Sequence, residues 1–269
     1  MRSVLFITLA LIAGLVSGCG SDDPPDLSSG KKVDMGGWGL YIQCKGSGTP
    51  TVVLDAGLDD GHVIWKRIEP VLARKTRTCS YDRSGVGDSD VRPSEPATVP
   101  AEQVVDELHE LLDKAQVEGP YVLVGHSLGG LNSRLYVARH PDDVAGVVFV
   151  DPTSPNYFED GSAGPEALGA AISYRTAFAT TRSVELGDRP VIVLVSAQQR
   201  AISVAEAGQL ARRSSKGMLV RTDTGHSIHL VLPKLVVEAT NLVVESAGSD
   251  SSLPPCRDTQ LERLGGQCP

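Results

Sequence analysis

The sequence predicts an α/β fold, one domain built on a mostly parallel sheet with helices on both faces. Three observations carry this reading. From Leu40 onward, short β-branched runs alternate with segments of helical periodicity. The runs are apolar throughout, as strands buried on both faces must be, and residues 121–124 and 144–150 are the clearest. Between a run and a helix stands Gly125-His126-Ser127-Leu128-Gly129, at the turn from a buried strand into the helical stretch 130–140. A serine held between glycines at such a turn has its hydroxyl pushed above the sheet edge. Residues two before and two after it must be small for strand and helix to approach.

The elements follow in order. Met1-Arg2, the apolar stretch 4–16 and Ser17-Gly18-Cys19 read as a secretory signal over residues 1–18, too short for a comfortable membrane span. Val16-Ser17-Gly18-Cys19 also resembles the bacterial lipobox, so Cys19 is expected to carry acyl chains that anchor the chain outside the cytoplasm. A plain secreted protein is the alternative. Residues 19–32, rich in Asp, Pro and Ser, read as a flexible tether, and 33–269 as the domain.

Within it, 40–44 and 51–54 are strands, and the turn 55–61 follows. Ile64, Ile68, Val71 and Leu72 give 63–75 a helical spacing, and 77–81 is the next strand. Val104, Val105, Leu108, Leu111 and Leu112 form the inner face of a helix over 101–115. Strand 144–150 ends at Asp151-Pro152, and the irregular stretch 153–187 is expected to form a cap. Strand 191–195, helix 203–213, strand 218–221 and helix 233–245 complete the alternation, with a cysteine-containing tail over 248–269.

The net charge is −8, and one more negative without Arg2, which excludes nucleic acid and anionic lipid as natural partners. An aromatic content of 4% does not suggest a wide aromatic-lined pocket. The expected partner is a small acyl substrate, and the chain is expected to act as a monomer.

At this point the motifs are specific enough to name a likeness. Residues 81–89 (Tyr-Asp-Arg-Ser-Gly-Val-Gly-Asp-Ser), 123–130 around Ser127, and Thr224-Gly225-His226-Ser227-Ile228 stand in one order and spacing. Through them the chain resembles the α/β-hydrolase superfamily, in its small bacterial esterase and aminopeptidase-like branch, over roughly residues 32–247. The resemblance implies an eight-stranded sheet, no metal or organic cofactor, and hydrolysis through an acyl-enzyme. It makes Ser127 the nucleophile and His226, on the loop after the last strand, its base. The oxyanion donors would be the backbone N–H groups of Leu128 and Leu58; relatives often carry His-Gly before the latter, where this chain has Ala56-Gly57. Because the second and fourth strands of that sheet are neighbours, Cys44 and Cys79 are expected to pair. Cys256 and Cys268, close together in the tail, would pair with each other; buried free thiols are the alternative.

The third catalytic member departs from the family pattern. Relatives carry an acid just after the seventh strand, where this chain has Ser196-Ala197-Gln198-Gln199-Arg200. Asp151, at a rigid strand end fixed by Pro152, is the favoured substitute, and Glu206 the second candidate. Asp223 reads as a turn residue and Asp82-Arg83 as support for the site floor. His126 and His229 read as structural, and His62, His109 and His140 as helix-end or surface residues. Two other functions remain open: an aminopeptidase or amidase, whose cap acids Glu159 or Asp160 would hold a substrate amine, and a surface-tethered binding protein that has lost its activity.

Overall fold

The computed structural model describes residues 25–93, 98–158, 171–173, 175–198 and 201–269. The expected signal, the lipidated Cys19, Glu159, Asp160 and most of the cap lie outside the described residues. Ten strands are described: β1 (Lys31–Asp34), β2 (Gly39–Lys45), β3 (Thr51–Asp55), β4 (Thr78–Tyr81), β5 (Thr98–Pro100), β6 (Tyr121–His126), β7 (Val144–Val150), β8 (Ala171–Ser173), β9 (Gly187–Ser196) and β10 (Ser214–Thr222). Seven helices accompany them: α1 (Glu69–Leu72), α2 (Ala101–Lys114), α3 (Leu128–Arg139), α4 (Phe178–Ser183), α5 (Val204–Ala211), α6 (Ile228–Val231) and α7 (Pro233–Ser249).

Eight strands form one sheet in the order β1-β2-β4-β3-β6-β7-β9-β10. β1 and β2 pair antiparallel, β2 meets β4 antiparallel, and every later pairing is parallel. The apolar runs divide by alternation. Val52, Leu54, Val122, Val124, Val148 and Val150 pack on one face against Trp65, Ile68, Leu235 and Val243. Val53, Leu123, Val147 and Phe149 pack on the other against α2 and α3. Both faces are therefore dry, with each large aliphatic side chain contributing about 1.5–3 kcal/mol on burial. Cys44 and Cys79 are directly opposed across β2 and β4 and joined by a disulfide, and a second disulfide joins Cys256 to Cys268.

Three expectations need correction, and one pairing was not expected. The helix expected over 63–75 is broken into a 3-10 turn, His62–Trp65, and the single α-turn of α1. Pro70 is the cause, because it has no N–H to donate and its ring collides with the carbonyl four residues back. The tether ends earlier than residue 32: Leu27 is buried in the core, its carbonyl accepts from Cys44 N–H, and Lys31 already belongs to β1. One apolar side chain in a polar stretch was enough to seat it. Thr98–Pro100 pairs with Ala171–Ser173 in a small parallel sheet that no periodicity announced. The last helix runs on to Ser249, past the 245 expected.

Candidate active site

Ser127 sits between the end of β6 and the start of α3 with φ 52° and ψ −115°, in the sparsely allowed region for a residue with a Cβ. The strain is imposed by close packing on both sides. A Cβ at Gly125 would lie 2.3 Å from Gly129 O, and one at Gly129 would lie 2.3 Å from Asp55 O and 2.7 Å from Ala56 O. Only hydrogen fits at either position. The turn is pinned by Ser127 N–H donating to Val150 O at 3.2 Å and by Thr153 N–H donating to Ser127 O at 2.9 Å.

Asp151 follows directly from Val150, at φ 44° and almost wholly buried. Its backbone N–H donates to Leu194 O at 2.8 Å, and Ser196 N–H donates to its Oδ1, also at 2.8 Å. Oδ2 accepts from His226 Nδ1–H at 2.6 Å. The carboxylate from β7 thus reaches across the end of β9 to the loop after β10. The position after β9 where relatives place an acid supplies an amide to the substitute. Because an ionised carboxylate only accepts, this contact fixes the proton on Nδ1 and leaves the Nε2 lone pair bare.

Glu206 is committed elsewhere. Its Oε2 accepts from Ser203 N–H at 3.0 Å in a capping box at the start of α5, and its Oε1 accepts from Ser154 Oγ and Asn156 Nδ2, both at 2.8 Å. These bonds, Ser203's first, hold its carboxyl below the usual range against an opposing desolvation. The structure brings Asp151, and not Glu206, to the histidine.

Ser127 Oγ lies 3.3 Å from Thr153 Oγ1, and among the described residues no hydrogen bond joins it to His226. Nucleophile–base bonds are often long before substrate arrives and close in the complex. His126, adjacent to Ser127 in the chain, donates from Nε2–H to the His226 carbonyl at 3.2 Å. The His126 and His226 ring centres are 4.7 Å apart. Burial, reinforced by the neighbouring histidines, pushes His126 well below the usual imidazole range. The His229 ring packs against it, tilted by 54° with centres 4.1 Å apart, and its pKa is pushed down to about 4, chiefly by burial.

Leu128 N–H belongs to the first residue of α3, so it has no intrahelical partner and points out of the positive end of the helix dipole. Leu58 is half exposed, and among the described residues no hydrogen bond uses its N–H. The loop before it is braced by Arg83, expected as support for the site floor. Arg83 Nη1 donates to Asp55 Oδ1 at 2.6 Å and to Ala56 O at 3.0 Å, while Nη2 donates to Gly57 O. The sequence suggested its supporting role but not its partners, because two of the three acceptors are backbone carbonyls. Asp60, half-buried beside Gly57, has a carboxyl raised by desolvation, with Arg83 opposing. Asp82 accepts from His62 N–H at 2.5 Å, from His62 Nδ1–H at 2.9 Å and from Asp88 N–H at 2.9 Å, so its role is to fold the floor.

Among the described residues, two groups have the ligand types for a metal: His62 with Asp82 and Asp88, and His109 with His140 and Asp143. Asp82 is already saturated as above. The His109 and His140 rings lie 3.9 Å apart with planes 9° from parallel, so their in-plane lone pairs do not converge on one point.

A family model described as the alpha/beta hydrolase fold matches residues 50–168, which span β3 to the start of the cap. An uncharacterized protein of Schizosaccharomyces pombe is 45% identical over 93 residues, covering 35% of this chain but only 17% of that protein. An uncharacterized Bacillus subtilis protein is 28% identical over 211 residues, covering 71% of this chain and 82% of its own length. Among solved structures, a thermophilic esterase from Thermogutta terrifontis superposes with a TM-score of 0.63 at 20% identity, covering 81% of this chain and 98% of that one.

Proposed function

We propose that this chain, which has the α/β-hydrolase fold and matches that family's model over residues 50–168, is a serine hydrolase of carboxylic esters or related acyl compounds. The observation that carries the reading is the 2.6 Å bond between Asp151 and His226, set beside a serine held in a strained turn. In this reading Asp151 fixes the imidazole tautomer, and His226 Nε2 takes the Ser127 proton as Oγ attacks the acyl carbon. The tetrahedral oxyanion is met by the N–H groups of Leu128 and Leu58, a stabilisation of about 2.7–4 kcal/mol for each donor. Collapse expels the alcohol, protonated by His226, and leaves the acyl group on Ser127. Water, activated by the same imidazole, then releases the acid. Arg83 contributes by holding the Ala56-Gly57 carbonyls so that the Leu58 donor keeps its aim.

The test is Ser127→Ala assayed on short p-nitrophenyl esters, with a fluorophosphonate probe as second readout. The expected outcome is a fall in kcat of roughly 10⁶, on the scale of serine proteases that lose their nucleophile. Covalent labelling of the wild type should disappear in the variant. Undiminished turnover, or a wild type that resists the probe, refutes the proposal.

A further inference from the structure

Arg134 lies two turns along α3 from Ser127 and is almost wholly buried. Yet its Nε and Nη2 have no hydrogen-bond partner among the described residues; the Phe149 ring lies 5.8 Å from Cζ, and Glu206 acts on the guanidinium through space without a hydrogen bond to those two atoms. A guanidinium is costly to bury unpaired, and an aliphatic side chain would fill the same helix position without that cost. Burial lowers its pKa to about 10, which still leaves it charged at neutral pH.

The group edges a cavity of about 260 Å³ bounded by α3, α4, α5 and the turn at Pro155-Asn156. That is far more than the ~10–15 Å³ one water requires. Its other charged lining residues are Arg182, Arg213 and Glu206. Arg213 is paired with Glu185 at 2.5 Å, and Glu206 is spent on Ser203, Ser154 and Asn156. Positive charge is therefore left over inside a chain whose net charge is −8.

We propose that this cavity is a binding site for an organic carboxylate, gripped by the planar fork of Arg134 with Arg182 as the second cation. A carboxylate matches the fork in two parallel bonds, and the space admits a carbon skeleton behind it. The stretch 151–156 ties the cavity to the candidate active site, since Thr153 touches Ser127 while Ser154 and Asn156 hold Glu206 at the cavity wall. The carboxylate belongs either to the far end of an acyl substrate or to a free organic acid. The binding claim goes beyond the ester-hydrolase reading and stands without it.

Titration calorimetry of the full chain with succinate tests the claim, in the wild type and in Ser127→Ala, so that loss of turnover does not affect the readout. Saturable binding in both is expected, weakened about tenfold or more in Arg134→Met. If Arg134→Met does not fold, Glu206→Gln, which removes the one lining acid, must tighten succinate binding severalfold. No saturable binding to the wild type, equal affinity in Arg134→Met, or unchanged affinity in Glu206→Gln overturns the proposal. The source of the carboxylate is read from kinetics. A rise in KM in Arg134→Met for the p-nitrophenyl monoester of succinate, but not for p-nitrophenyl butyrate, assigns it to the substrate. Succinate binding that persists after the fluorophosphonate probe has filled Ser127 assigns it to a free acid.

Discussion

Asp151 and Glu206 are both buried or half-buried carboxylates after strand ends, and what separates them is the company each keeps. Asp151 spends one oxygen on Ser196 N–H and the other on His226, whereas Glu206 is occupied by Ser203, Ser154 and Asn156. Asp151→Asn is therefore expected to lower kcat by about 10⁴, because an amide at that position favours the wrong tautomer. Glu206→Gln keeps the shape of its network and should change kcat by less than about tenfold. Equal effects of the two on p-nitrophenyl ester turnover would show that the acid is misassigned. His229 makes a different prediction, about stability. Its imidazole takes a proton near pH 6.5 in the unfolded chain but only near 4 in the folded one. Between those values the unfolded state binds more protons, so stability is full above pH 6.5 and drains away as pH falls through 4. The loss is about 3 kcal/mol at most, and His126, buried against His229, acts in the same direction. Urea unfolding at pH 7 and pH 4.5 should show a smaller difference in His229→Phe than in the wild type. An unchanged difference counts against the assignment.

Elements show why parts of this protein could be read from its sequence and parts could not. Strands β6, β7 and β9 were legible because burial on both faces demands unbroken apolar runs, and α2 because its inner face repeats at helical spacing. The elbow was legible because packing restricts the residues around Ser127 to glycine. Gly129→Ala carries that argument to a number. A Cβ only 2.3 Å from Asp55 O must force α3 away from β3, at a cost of about 3 kcal/mol or more. Thermal melting should show the loss, and ester turnover should fall with it because the Leu128 donor moves too. Wild-type stability in that variant would mean the helix and strand are not in contact as described. The break of the 63–75 helix at Pro70 is also written in the sequence, since the proline overrides the helical spacing of Ile64, Ile68, Val71 and Leu72. The pairing of β5 with β8 and the partners that Arg83 clamps left no local trace. Each depends on partners far away in the chain, at separations that period and composition do not encode.

At the scale of the whole molecule, the last strand is an edge, and the tail after α7 covers it. Leu261 is buried among Ile228, Leu235 and Val236, and Gln267 exchanges backbone hydrogen bonds with Arg221 at 2.7 and 3.0 Å. Gln267 Nε2 also donates to Asp223 Oδ2 at 2.5 Å, three residues before His226. The Cys256–Cys268 disulfide closes this tail over a separation of 12 residues. Closing so short a loop restricts the unfolded chain by about 3 kcal/mol in the chain-entropy account. Replacing both cysteines by alanine should therefore lower Tm by roughly 6–12 °C for a domain of this size. The Cys44–Cys79 bond joins strands already paired in register, so its removal leaves the β2–β4 ladder of hydrogen bonds in place. The two losses differ in kind, because the tail also steadies the loop that carries His226. Below its own melting transition, the Cys256→Ala/Cys268→Ala protein should lose ester turnover severalfold while its circular dichroism stays native. Removal of the Cys44–Cys79 pair should cost stability with kcat preserved. If turnover in the tail variant follows only the fraction folded, the tail is a staple for the fold and plays no part in positioning the histidine.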